Sequence, residues 1–213
     1  MQCRTRGENL VGVLLEKEEV PGVSEQVMNV CIDSFMKRPS TKRFALNVIS
    51  NFVNNIVYMK KKPGNPLPYT AALLFLSGGK ANCNVSGKGN VLYFSEDETK
   101  IFNNANIQDL GVKTSYVLEV NNEFKLQKGT NSFLLCTDEL LEQIEPDEIK
   151  RLLQESESPN EWMDKIIGSC ENKDVSAMAL ILGKTKRGEK LLKFIPFIIA
   201  ILIALGLLIW RLL

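Results

Sequence analysis

Between Tyr69 and Cys136 the chain is written in short apolar runs broken by turn residues, and this pattern limits the possible folds more than any other feature. The runs occupy residues 71–76, 81–85, 91–94, 115–120, 124–126 and 132–136. Each is too short for a stable helix, and the turn residues between them favour paired extended segments. Ser77-Gly78-Gly79 and Ser86-Gly87-Lys88-Gly89-Asn90 supply tight turns between neighbours. Phe75, Phe94 and Phe102 read as core, because aromatic residues at strand spacing usually face inward. The middle of the chain is therefore expected to be a β meander.

Helical periodicity flanks this region. Residues 10–15 read as a buried strand, followed by Val27, Met28, Cys31, Ile32 and Phe35 at helical spacing behind Ser24, the expected N-cap. A second helix is expected to bury the stripe Phe44, Val48, Ile49, Phe52 and Ile56, and to stop before the Lys60-Lys61-Lys62-Pro63-Gly64-Asn65-Pro66 breaker. After Thr137, Ile149, Leu152 and Leu153 mark one helix and Trp162, Met163, Ile166 and Ile167 another, ahead of a last strand at 177–182. Strand, two helices, many strands, two helices, strand predicts an α/β (α+β) fold in which helices cover sheets. No internal repeat interrupts the order.

Phe194 to Trp210 carries no charge and, with Leu191 and Leu192, approaches the roughly 20 residues needed to cross hydrocarbon. Lys184, Lys186, Arg187, Lys190 and Lys193 precede it, whereas only Arg211 follows among charged residues, so the N-terminal flank is expected to stay in the cytosol. Pro196 falls in the first turn, where its missing N–H costs little. A buried terminal helix is the alternative, and it would need an apolar partner on every face. Residues 10–15 are too brief for a signal-peptide core. Three segments follow: a domain at 1–183, a basic linker at 184–193, and one C-terminal transmembrane helix at 194–213 that makes the chain single-pass and tail-anchored.

Composition then removes whole classes of chemistry. With no histidine, Ser-His and Cys-His triads and imidazole metal ligands are excluded. Five cysteines without C-x-x-C spacing read as reduced thiols of a cytosolic domain. Residues 1–183 hold 20 basic and 24 acidic groups, and a mildly acidic domain without a basic stripe is a poor match for nucleic acid. The linker lysines and arginine serve as a topology signal, with attraction to anionic lipid as a further role.

Several strings, in order, resemble the PPM-type (metal-dependent, type 2C) serine/threonine protein phosphatases. Leu126-Gln-Lys-Gly129-Thr-Asn-Ser-Phe133-Leu-Leu-Cys136-Thr-Asp138-Glu139-Leu140 looks like that family's L-x-x-G-D-x-x-L-L-x-S-D-G-L segment. Asn84-Val85-Ser86-Gly87-Lys88 stands where the family writes N-V-G-D-S, and Lys173-Asp174-Val175-Ser176 where it has D-N-x-T or D-D-x-S. The resemblance covers about residues 10–182. It implies a central β sandwich of two mainly antiparallel sheets flanked by helices. It also implies two manganese or magnesium ions held among carboxylates, with a bridging water as the nucleophile for phosphomonoester hydrolysis. Hard divalent cations take oxygen ligands, and two of them close together require several negative groups. Carried over, Asp138 matches one metal aspartate, and Glu16 stands for the aspartate of the first-strand D-G-x-G-G. Arg6, in Arg6-Gly7-Glu8-Asn9, matches a phosphate-contacting arginine, although few residues separate it from Glu16.

The departures from this pattern bear on activity. Lys17 and Glu139 replace glycines, and Lys173 occupies the position of the C-terminal metal aspartate. Asp174 can replace that ligand only if the register slips by one residue, which reverses the face it points to. An ammonium at Lys173 repels a divalent cation. The expectation is a degenerate PPM-type domain in which Lys173 pairs with Asp138 or Glu16 in place of metal. Each residue also has a plainer role: Asp138 as a cap for the helix that follows, Glu16 in a solvated turn, Lys173 at the surface. Three functions remain open. They are a non-catalytic module holding a kinase or phosphoprotein at the membrane, an active manganese- or magnesium-dependent phosphatase with a rebuilt site, and an unrelated tail-anchored adaptor.

Overall fold

The computed structural model describes residues 1–15, 22–61, 67–103, 108–114, 122–172 and 174–183. Met1–Ile181 forms one unit, described below, and of the second, Leu182–Leu213, only Leu182 and Gly183 belong to the described residues.

Two antiparallel sheets face each other. The first has the order β1 (Gln2–Arg6), β2 (Asn9–Leu15), β3 (Ala71–Ser77), β4 (Lys80–Ser86), β7 (Glu123–Lys125). The second has the order β6 (Thr99–Phe102), β5 (Gly89–Phe94), β8 (Asn131–Thr137), β9 (Ala177–Leu182). Helices α1 (Val23–Lys37) and α2 (Arg43–Lys60) cover the first sheet, and α3 (Asp138–Leu141), α4 (Pro146–Gln154) and α5 (Pro159–Ser169) follow β8 on the second. This is the helix-flanked sandwich expected from the sequence.

Strand alternation explains why the central strands are apolar on both faces. Val11, Val13 and Leu15 of β2, with Ala71, Leu73 and Phe75 of β3, pack on Val27, Cys31 and Phe35 of α1 and on Leu46, Val53 and Val57 of α2. The opposite parity faces the other sheet: a Cβ at Gly12 would lie 3.3 Å from Leu180 and 3.6 Å from Leu135. On the far side, Leu92, Phe94, Leu134 and Cys136 pack on Ile149, Leu152, Trp162 and Ile166. Trp162 is fully buried, donates its indole N–H to the Ile149 carbonyl at 3.1 Å and sets its ring edge-on to Phe94. Phe75 and Phe94 are core as expected, and Phe102 is half-buried and stacks on Phe124.

Two local expectations are corrected. Helix α1 starts at Val23 behind Gly22, whose φ of 82° needs no side chain, and Ser24 instead hydrogen-bonds the Tyr69 hydroxyl at 2.7 Å. Helix α2 turns Leu46, Ile49, Ser50, Val53, Asn54 and Val57 inward and leaves Phe44, Val48 and Phe52 exposed. Its inner face accommodates polar residues because each is paired: Asn84 donates to Ser50 at 3.0 Å, and Asn54 bridges Lys113 and Gly111. The expected strand at 115–120 lies outside the described residues, as does the expected anchor at 194–213. Among the described residues no helix is long and apolar enough to cross a membrane.

Candidate functional site

The site is assembled where the chain passes from the first sheet to the second. The turn between β4 and β5 makes that passage, with Gly87 at φ 58° packed against Thr70. The next glycine is demanded by proximity: a Cβ on Gly89 would sit 2.1 Å from the Ala71 carbonyl oxygen. The turn is pinned at both ends. Gly87 N–H donates to Asp109 at 3.1 Å, Lys88 N–H to the Thr70 hydroxyl at 3.3 Å, and Leu110 N–H to Ser86 Oγ at 2.8 Å.

Register then decides which side chains meet. Gly89 pairs with Thr137 and Asn90 with Cys136, so Lys88 and Asp138 come together one residue beyond the ladder. Asp138 N–H donates to the Lys88 carbonyl at 2.9 Å. The Asn90 amide donates to Asp138 Oδ1 at 2.6 Å and to the Lys88 carbonyl at 3.2 Å. The Lys88 ammonium binds Glu139 at 2.9 Å, with Glu142 and Asp138 adding further negative field. Glu139 is held below the usual carboxylate range by the Thr137 hydroxyl and then by Lys88, and Lys88 is raised in turn, chiefly by Glu139. Asp138 is itself the first residue of α3, Thr137 is the cap residue, and the Asp138 carboxylate is committed to Asn90 rather than to capping.

The other residues singled out in the sequence fall in different places. Asp174 is exposed in the lead-in to β9; its N–H donates to Asn172 at 2.9 Å, and the nearby Ser176 carbonyl accepts from Thr137 N–H at 3.2 Å. It therefore approaches the same end of the second sheet as Asp138. Glu16 and Lys173 lie outside the described residues, although Leu15, just before Glu16, pairs with Ala71 beside the turn. Arg6 is not brought to the site. It pairs with Asn9 at the opposite end of β2, about 20 Å from Leu15 at the usual rise per strand residue, and its guanidinium reaches the Met36 carbonyl at 3.5 Å. Register accounts for this, since Arg6 of β1 faces Asn9 at one end of β2 and Leu15 stands at the other.

Lys88 and Asn90 are the site residues that sequence reasoning did not single out. The signal was present in the turn string, where Lys88 closes the segment that resembles N-V-G-D-S, but only the β5–β8 register shows that it reaches the acids. One amide donor thus occupies the carboxylate that the resemblance assigns to a metal, and an ammonium is held by the neighbouring Glu139. Among the described residues, no group of three or more histidine, cysteine, aspartate or glutamate side chains comes together to hold a metal ion. Divalent ions need acceptors, and an ammonium and an amide N–H are donors. The described residues therefore do not fit a two-metal shell. Thiol chemistry finds no support either, because Cys136 behind the site and Cys83 are pushed upward by burial, and Cys31 is raised to about 12.

No sequence-family model matches the chain, and no curated protein matches it by sequence. Solved structures do. The PPM Ser-Thr phosphatase MsPP from Mycobacterium smegmatis, in complex with cacodylate, aligns at TM-score 0.62 and 11% identity over 85% of this chain and 90% of that one. The fold is that of the PPM phosphatases. The PPM neighbours also include the catalytic domain of serine threonine protein phosphatase PstP with 2 manganese ions, at TM-score 0.59 and 12% identity over 84% of this chain and 89% of that one. RsbX in complex with magnesium matches at TM-score 0.59 and 16% identity over 84% and 83%. At such identities the likeness establishes the PPM fold, and the chemistry must be argued from this chain's own residues.

Proposed function

We propose that this chain is a membrane-tethered PPM-like domain that has given up metal-dependent phosphate-ester hydrolysis and acts as a cytosolic regulatory module, holding a kinase or a phosphoprotein. The observation that carries the reading is the occupation of Asp138 by the Asn90 amide, with the Lys88 ammonium bound to the adjacent Glu139. A cation fixed to the chain offsets the repulsion among Asp138, Glu139 and Glu142, which is the electrostatic part of what a bound metal does. It supplies neither a Lewis acid nor an activated water. The fold is retained while the reaction is lost. The tether rests on the uncharged run from Phe194 to Trp210 and the basic residues before it.

The test is hydrolysis of p-nitrophenyl phosphate by the full chain in detergent, with and without manganese, beside Asp138→Ala. The proposal expects the two proteins to be equally inactive. Manganese-dependent turnover lost in Asp138→Ala would instead make this a working phosphatase with an altered ligand set. Resistance of the chain to alkaline carbonate extraction from membranes checks the tether separately.

A further inference from the structure

We infer that the outward face of α2 is a docking surface for an anionic lipid bilayer. Among the described residues ten large hydrophobic side chains are exposed, and five of them, Phe44, Val48, Phe52, Tyr58 and Met59, belong to this one helix. At about 100° per residue these five fall within about 120° of arc, directly opposite the face that packs on the sheet. From Phe44 to Met59 the stripe runs about 22 Å at the helical rise. Phe44 is 81% exposed and Met59 77%, so both ends project fully into the surroundings. Such a helix has two apolar faces, and only one has a partner among the described residues.

The charge around the stripe selects the occupant. Residues 34–62, which hold α2 and its flanks, contain seven lysines and arginines and not one aspartate or glutamate, and the acid that reaches Lys42 from elsewhere, Glu123, is itself paired with Lys80. Lys42 and Arg43 stand at the N-terminal end of α2, and Lys60 at its C-terminal end. Apolar side chains flanked by cations, with no acid in between, suit the boundary of an anionic membrane, where the apolar groups enter the acyl region and the cations meet headgroups. Asn51 and Asn55, within the same arc, limit the depth to the headgroup boundary. A second copy of the chain is a poorer occupant. Antiparallel packing of two α2 helices would set Lys42 and Arg43 against Lys60 of the other copy, and parallel packing would set each cation against itself. The helices on the other sheet show the opposite design: Arg151 pairs with Glu148 and Glu155, and Lys165 with Glu161, on their outward faces.

The inference builds on the tether proposed above, which would keep the domain near a bilayer, and the experiment separates the two. The full chain is reconstituted into phosphatidylcholine vesicles with or without phosphatidylserine. It carries a nitroxide at Phe52→Cys or, as a control, at Glu157→Cys, both in a Cys3→Ser background because Cys3 is the exposed thiol. With phosphatidylserine, the label at 52 should lose contact with an aqueous nickel chelate and gain contact with lipid-dissolved oxygen, while the label at 157 stays aqueous. Lys42→Glu with Arg43→Glu and Lys60→Glu should return position 52 to water. A label at 52 that stays aqueous in carbonate-resistant vesicles overturns the docking and spares the tether. One shielded from both oxygen and nickel also overturns it, in favour of a protein occupant. A lipid-exposed label on a chain that carbonate removes supports the docking and overturns the tether.

Discussion

The interior of the sandwich and the end where the β4–β5 turn meets Asp138 obey different rules. Inside, the central strands place alternate side chains on a helix layer and on the opposite sheet, and buried apolar contacts hold the frame. At the turn end, β5 delivers the Asn90 amide to the Asp138 carboxylate, where the PPM resemblance implies a metal, and Lys88 pairs with Glu139 beside it. The frame is thus held independently of the chemistry at its edge. A fold stabilised by burial survives exchange of its ligands, provided the new groups satisfy one another's charge.

Trp162→Ala should give the largest effect. It removes a fully buried indole and its hydrogen bond, and a loss of about 3–5 kcal/mol is expected in denaturant unfolding. Gly89→Ala probes the border between the two regions, where a methyl would be driven into the Ala71 carbonyl; overpacking of this kind costs about 1–3 kcal/mol. Asp138→Ala, which leaves the Asn90 amide with the Lys88 carbonyl as acceptor, should cost about 1 kcal/mol. If it cost as much as Trp162→Ala, the turn end would be part of the frame and the contrast would fail.

Glu123 sharpens the contrast from outside the site. Lys80 at 2.6 Å, then Thr41 at 2.8 Å, hold its carboxyl below the ordinary range. Ionised Glu123 therefore stabilises the fold above the carboxylate range of the unfolded chain, and the contribution is lost as pH falls through the depressed value. Glu123→Gln should cost about 1 kcal/mol near neutral pH after solvent screening, and the difference from wild type should vanish in acid. The smallest change is a count. Native protein should offer one thiol, Cys3, to an aqueous disulfide reagent, and unfolded protein all five, since the other four are buried.

Much of the frame was legible because its strands are short, apolar and separated by glycine turns. Strands β2, β3, β4, β5, β7, β8 and β9 fall where the sequence pattern put them. Strand β1 was not legible: Gln2–Arg6 is exposed throughout, an edge strand with no buried face to create alternation. The inner face of α2 was misassigned because both its faces are apolar, and the true one includes Ser50 and Asn54 with partners distant in sequence. At the candidate site, the motif singles out Asp138. Lys88 and Asn90 were not legible, because their role depends on the Gly89–Thr137 register, a long-range pairing that no local string encodes.

The central claim is that the turn end carries its own cation and takes no divalent ion. Its most direct test is titration of the full chain with manganese while free Mn²⁺ is followed by its electron paramagnetic resonance signal. The account predicts that the free-ion signal follows added metal, identically for wild type and Asp138→Ala. Saturable loss of that signal in wild type, restored by Asp138→Ala, would contradict it.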